Sequence, residues 1–200
     1  MPRLLLLALG FLTLTACETE DTIYINVPAE TKDWMPDQND QPLTFATASG
    51  ATQTMLVERS TDSYDYTGKG VTVLTSTEWH FARYKQKNTS NPGFSLAGHE
   101  FWLHFLQTEK PVVQLVDNQA DELGGITTND SSPHNGYAGT LSLKNNQAFG
   151  GHTYPALVTV DFTRVDTLTA PATVIRKIYY AKSSGLVGYR TANGQLWLRQ

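Results

Sequence analysis

The sequence predicts a mostly β fold: an antiparallel meander arranged as a curved sheet, a sandwich or a lipocalin-like barrel, with room for one short helix. Three observations carry that expectation. From about Asp33 onward the chain is rich in Thr, Val, Tyr and Phe, with turn residues roughly every ten positions, the signature of short successive strands. Tyr154 to Val165 alternates cleanly, with Tyr154, Ala156, Val158, Val160 and Phe162 on one face and Thr159, Asp161 and Thr163 on the other. Asn193-Gly194 separates two apolar runs, and that pair suits the positive φ angles of a type I′ hairpin turn.

Each further element follows from the same signals, taken along the chain. Leu43 to Ala48 and Gln53 to Arg59 flank Ser49-Gly50 as two strands. Val71 to Leu74 follows Gly68-Lys69-Gly70, and Val112 to Val116 follows Pro111. Phe94 to Gln107 reads as a strand or a helix, because a short apolar run does not distinguish them. Read as a strand, it sets Phe101, Leu103 and Phe105 on one face and Glu100, Trp102 and His104 on the other. Asn88 to Gly93 is a loop, and Asp117 to Gly136, dense in Asp, Asn, Ser and Gly, is a long one. Val174 to Ala181, Leu186 to Arg190 and Gln195 to Leu198 complete a four-stranded meander with the 154–165 strand. No internal repeat or interdomain linker interrupts the chain.

Composition agrees with one domain. The chain has 200 residues, 40% in the apolar set and 17% charged, enough to bury a core. Its formal charge is −4, with no basic run beyond Arg83 to Lys87, which excludes the broad cationic footprint of a nucleic-acid binder.

The N-terminus carries an address. Arg3 precedes the apolar run Leu4 to Leu12, which is followed by Leu14-Thr15-Ala16-Cys17, the order of an export signal and too short for a membrane-spanning helix. Cys17 is the only cysteine, so no intrachain disulfide forms. Leu14-Thr15-Ala16-Cys17 resembles the lipobox of bacterial lipoproteins. That resemblance implies cleavage after Ala16, diacylglycerol on the Cys17 thiol and a further acyl chain, such as palmitate, on the new amino group. Two or more chains make a stable anchor at about 0.8 kcal/mol per buried CH2. Removing residues 1–16 takes away one arginine and leaves 14 basic against 19 acidic residues. The expected organisation is a signal peptide at 1–16, an acylated N-terminus and tether at 17–32, and one β-rich domain at 33–200.

Several segments together resemble a family of uncharacterised Bacteroidota lipoproteins. They are the lipobox, Asp33-Trp34-Met35-Pro36 followed by Leu43-Thr44-Phe45, and a closing block. That block runs Ile178-Tyr179-Tyr180-Ala181-Lys182-Ser183-Ser184-Gly185-Leu186-Val187-Gly188-Tyr189 and then Asn193-Gly194-Gln195-Leu196-Trp197. The sequence departs from the family at Ser183-Ser184, where a glycine-rich turn is more usual. The resemblance implies a β fold and an outer-membrane location, on the periplasmic face or the cell surface, and carries no catalytic residues. Acidic Glu18, Glu20 and Asp21 resemble an outer-membrane export signal of such bacteria. Asp21-Thr22-Ile23 and Asp166-Thr167-Leu168 resemble their O-glycosylation sites, at Thr22 and Thr167.

No catalytic constellation is legible. His99-Glu100 and His104 fall one residue outside the zinc-protease spacing, placing the two imidazoles on different faces of either a helix or a strand. Gly93-Phe94-Ser95-Leu96-Ala97-Gly98 misses the nucleophile elbow by one residue. Asp117, Asp121, Glu122, Asn129 and Asp130 lack the calcium-loop spacing. Neither a metal nor a cofactor is expected. Asp33 with Asp37, or Glu78 with Glu100, are the carboxylate pairs a glycosidase would need within about 5–10 Å. Trp34, Trp79, His80, Trp102 and His104 are the candidate ligand-binding residues, as stacking surfaces and hydrogen-bonding partners. The function expected is a non-catalytic binding or envelope-accessory lipoprotein whose partner is a glycan, a small molecule or an envelope protein. A hydrolase of glycans or peptides is the alternative.

Overall fold

A computed structural model describes residues 22–67, 74–87, 94–98, 102–107, 110–116, 137–164 and 172–200. The fold is mostly β. Strand β1 (Thr22–Ile25) is followed by a single helical turn, α1 (Ala29–Lys32), and then by β2 (Pro42–Ala46), β3 (Thr52–Thr67), β4 (Leu74–Gln86), β5 (Phe94–Gly98), β6 (Trp102–Gln107) and β7 (Lys110–Val116). The second half contributes β8 (Tyr137–Phe149), β9 (His152–Arg164), β10 (Ile175–Ala181), β11 (Gly185–Thr191) and β12 (Leu196–Arg199).

All twelve strands join one sheet, in the order β7-β6-β5-β4-β3-β2-β12-β11-β10-β9-β8, with β1 added beside β4. Every neighbour along that path is antiparallel, and each half of the chain is a meander. The halves are stitched by β12 on β2, where Leu198 faces Ala46 and Arg199 faces Phe45. The edge strands β7 and β8 approach within 8 Å between Cα atoms without forming a ladder among the described residues. The sheet is therefore curved almost round on itself and left open at one seam. Phe94 to Gln107 resolves into two strands, since Gly98 ends β5 and Trp102 opens β6.

Alternation explains which face is inward. Leu43 and Phe45 of β2 are buried between exposed Pro42 and Thr44. The same inner face collects Met55, Val57, Ala82, Tyr84, Phe94, Leu96, Val158, Val160, Phe162, Ile178, Tyr180 and Tyr189 in one cluster. Tyr84 stacks on Phe94 at 4.5 Å, and Phe45 meets Tyr189 edge-on at 5.2 Å. A smaller cluster of Leu157, Ala181 and Val187 lies apart from it, where Phe149 stacks on Tyr179 at 4.1 Å.

Two local expectations are corrected. Residues ahead of Asp33 already pack on the domain and are no tether: Thr22–Ile25 pairs in parallel with Leu74–Thr77, while Val27 and Thr31 are buried. The final hairpin is not type I′, because Gly194 takes φ +83° while Asn193 keeps a negative φ. The Gly194 N–H donates to the Thr191 carbonyl (2.8 Å) and the Thr191 N–H to the Gln195 carbonyl (3.1 Å), the pattern of a three-residue loop with a bulge. Asn193 instead spends its side-chain oxygen on Thr191 Oγ1 (2.6 Å) and the Gln195 N–H (3.2 Å).

Candidate functional site

Residues 27–37 form a strap across the inner face, running from β4 to the β10–β11 turn. At its start the Val27 N–H donates to Glu78 Oε2 (2.9 Å), and the Lys32 ammonium lies 3.7 Å from the same oxygen. His80 Nε2 meets Glu78 Oε1 at 2.8 Å. These hydrogen bonds, His80's foremost, hold the Glu78 carboxyl below its ordinary range, so it stays ionised. At the other end Asp37 is 3% exposed and fully engaged. Its Oδ2 accepts from Tyr84 OH (2.9 Å) and the Leu186 N–H (3.3 Å), and its Oδ1 accepts from Arg199 Nη1 (3.0 Å). Because Tyr84 gives its proton to Asp37, the Tyr180 hydroxyl 2.9 Å away donates to Tyr84. Arg59 Nη1 donates to the Met35 and Asp37 carbonyls, and Ser183 N–H to the Asp33 carbonyl (2.7 Å).

This network is structural. Asp37 has no oxygen left for catalysis while Asp33 is exposed, so they do not work as a glycosidase pair. Trp34 is 3% exposed inside the core cluster, which removes it from the ligand-binding candidates. The Asp33–Asp37 segment and the 180–186 segment, 150 positions apart in sequence, turn out to be packed on each other.

The other face of β3 and β4 has a different character. In the antiparallel register Glu58 faces Arg83, Ser60 faces Phe81, Asp62 faces Trp79 and Tyr64 faces Thr77, all on the side opposite Val57 and Tyr84. Trp79 meets Phe81 nearly parallel (6.1 Å, 15°) and Tyr64 edge-on (5.5 Å, 73°). A groove of about 540 Å³ lies along this ladder, lined by Glu58, Ser60, Asp62, Tyr64, Phe81 and Arg83. That volume falls among those of small-ligand sites, roughly 300–1,000 Å³. Charge along it is balanced, with carboxylates Glu58 and Asp62 against Arg59 and Arg83, and Glu58 also pairs with neighbouring Lys85 at 2.6 Å. A shallower depression of about 400 Å³ lies on the opposite, inner side of the same two strands, lined by Pro36, Asn39, Arg59, Thr61 and His80.

Of the remaining candidates, Trp79 stands beside the groove and His80 borders the depression. His80 Nδ1 is buried without a partner among the described residues. Trp102 and His104 belong to β6, opposite Val116 and Gln114, and their side chains lie outside the described residues. Glu100, the 117–136 loop, Thr167 and Cys17 also lie outside them. Among the described residues no three His, Cys, Asp or Glu side chains gather as a metal site, and no helix is long and apolar enough to cross a membrane.

No family model, curated protein or solved structure matches this chain. The groove residues Glu58, Asp62, Tyr64, Phe81 and Arg83 were not singled out in the sequence. The available signal was the polar alternation Glu58, Ser60, Asp62 continuing beyond Arg59, which extends the strand past its apolar portion.

Proposed function

We propose that the protein is a lipid-anchored extracytoplasmic lipoprotein of the outer membrane whose curved sheet is a non-catalytic binding module. Its ligand site is the outer groove of β3 and β4, and the ligand is a neutral, polyhydroxylated one such as a short glycan. The observation that carries this reading is the groove itself, an aromatic-lined trough of about 540 Å³ on the sheet face opposite the main core. Aromatic faces such as Phe81 and Trp79 favour the C–H face of a sugar ring, and the flanking carboxylates, guanidinium and Ser60 supply acceptors and donors for hydroxyls. Balanced charge favours an uncharged ligand over an anion or a cation. The lipobox at Leu14 to Cys17 supports the anchor.

Titration of the protein with a panel of soluble oligosaccharides, followed by calorimetry, tests the site. Phe81→Ala and Asp62→Asn are expected to weaken the bound sugar at least about tenfold, or roughly 1.4 kcal/mol each, without unfolding the domain. Binding that survives both substitutions would move the site elsewhere, and no binding across the panel would remove the glycan reading.

A further inference from the structure

We infer that the β1 edge, together with Tyr64 of β3, is a membrane-docking surface that lays this end of the sheet against zwitterionic lipid headgroups. The inference rests on the reading of Cys17 as the acylated residue. Three observations meet here. First, the large apolar or aromatic side chains that stand exposed among the described residues are Ile23 (53%), Tyr24 (73%) and Tyr64 (53%). Second, the register gathers them: Ile23 and Tyr24 of β1 face Thr75 and Ser76 of β4, which face Tyr66 and Asp65 of β3, so Tyr64 lies two strand spacings across and one or two residues along, about 12 Å away. Ile23 and Tyr24 are successive strand residues on opposite faces, and both are exposed, so β1 is an edge with described protein on one side only. Third, Cys17 precedes Thr22 by five positions, which no backbone conformation stretches beyond about 18 Å. An acyl chain on Cys17 therefore keeps β1 within about 18 Å of the bilayer surface, near enough for the patch to make contact but not enough to enforce it.

The chemistry of the patch selects the lipid. Tyr suits the headgroup level, with an apolar ring and a polar tip. Asp62 and Asp65 on β3, with Glu18, Glu20 and Asp21 before β1, make the surroundings acidic, so anionic lipid repels this end and neutral lipid accepts it. Tyr64, which lines one end of the groove, belongs to this same surface, so that end of the groove lies beside the membrane.

The test uses the full chain processed in a lipoprotein-exporting bacterium, its acyl mass confirmed by mass spectrometry, in phosphatidylcholine and phosphatidylethanolamine vesicles carrying a lipid-attached quencher. Because acylated Cys17 has no free thiol and is the only native cysteine, Ser63→Cys and Ser49→Cys each take one environment-sensitive fluorophore. Ser63 lies near the patch, whereas Ser49 lies in the β2–β3 turn, more than 35 Å away along the strand (about 3.3 Å per residue). The Ser63 label is expected to shift to the blue and to be quenched several-fold more than the Ser49 label. Adding Ile23→Ser with Tyr24→Ser, which keeps the tether and the acyl chains, should abolish the blue shift of the Ser63 label and cut its excess quenching over the Ser49 label several-fold. Phosphatidylglycerol in the vesicles should weaken the contrast. Equal quenching of the two labels, contrast that survives the double substitution, or a blue shift that appears without vesicles and grows with protein concentration, the mark of a second copy, would overturn the docking surface. An intact mass without acyl chains would overturn the anchor reading itself, and the docking surface with it.

Discussion

Gly185 shows how much one residue can hold. It takes φ +75°, and a Cβ there would lie 2.0 Å from Asp37 Oδ2, so its missing side chain is what lets the strap reach the β10–β11 turn. Two positions earlier Ser183 also occupies the left-handed region, at φ +61°, with its N–H committed to the Asp33 carbonyl. A glycine there would relieve backbone strain, whereas a methyl at 185 would expel a carboxylate. Gly185→Ala is therefore expected to cost about 3 kcal/mol or more, and Ser183→Gly to be neutral or to stabilise by about 0.5 kcal/mol. Urea unfolding of the two variants side by side reads both, and a tolerated alanine at 185 would refute the close approach of Asp37. The unusual serine in the 182–185 turn thus has a specific backbone consequence.

At the scale of elements, the strap and the long β3–β4 ladder divide the labour. The strap is held by charge and hydrogen bonding to Asp37, a group sealed from water and satisfied by strands β4, β11 and β12. An asparagine there keeps one acceptor oxygen and sets an NH2 donor in place of the other, so it loses the charge that pairs Arg199 and turns a donor toward either the guanidinium or the Tyr84 hydroxyl and Leu186 N–H. Asp37→Asn is expected to destabilise the domain by about 3 kcal/mol, while Asp33→Asn, at an exposed carboxylate, stays within about 0.5 kcal/mol. Hydrogen exchange should speed up first at the Leu186 and Ser183 amides; if neither amide changes, Asp37 does not fasten the strap. The ladder behaves differently along its length. Up to Val57 its inner residues are core, and beyond Arg59 they give way to Thr61 and Ser63, so the polar run 60–65 resembles a turn in sequence yet continues as strand. Pairing with β4 at every position from Met55 to Thr67 supplies the order that hydrophobic alternation no longer does. This is why the groove residues escaped notice.

For the molecule as a whole, the buried phenols set the alkaline limit. Burial pushes the hydroxyls of Tyr84, Tyr180 and Tyr189 well above the usual value of 10, foremost because a phenolate has no water there. In the unfolded chain they ionise near 10. Stability from these groups is complete below pH 10 and falls as pH rises above it, since only the unfolded chain releases the protons. Each phenol withdraws up to about 1.4 kcal/mol per pH unit, so cooperative unfolding is expected by about pH 12. Of the nine tyrosines, three should gain phenolate absorbance only together with the loss of circular dichroism; ionisation of all nine in an intact fold would contradict the burial of these three.

The alternation of Tyr154 to Val165, the turn spacing and the closing hairpin determined the β class and most strand positions from sequence alone, because local period-two burial is written into each strand. The lipobox-like run Leu14 to Cys17 that supports the proposed anchor is likewise a contiguous signal that needs no fold. What only the tertiary structure decided is non-local. Two halves of a meander meet through β12 and β2, Trp34 becomes core, and the Asp37 carboxylate finds partners on three strands. Glu58, Asp62 and Phe81 share one face only because β3 and β4 pair in a particular register. Such facts depend on which strands become neighbours, and no single segment carries that information.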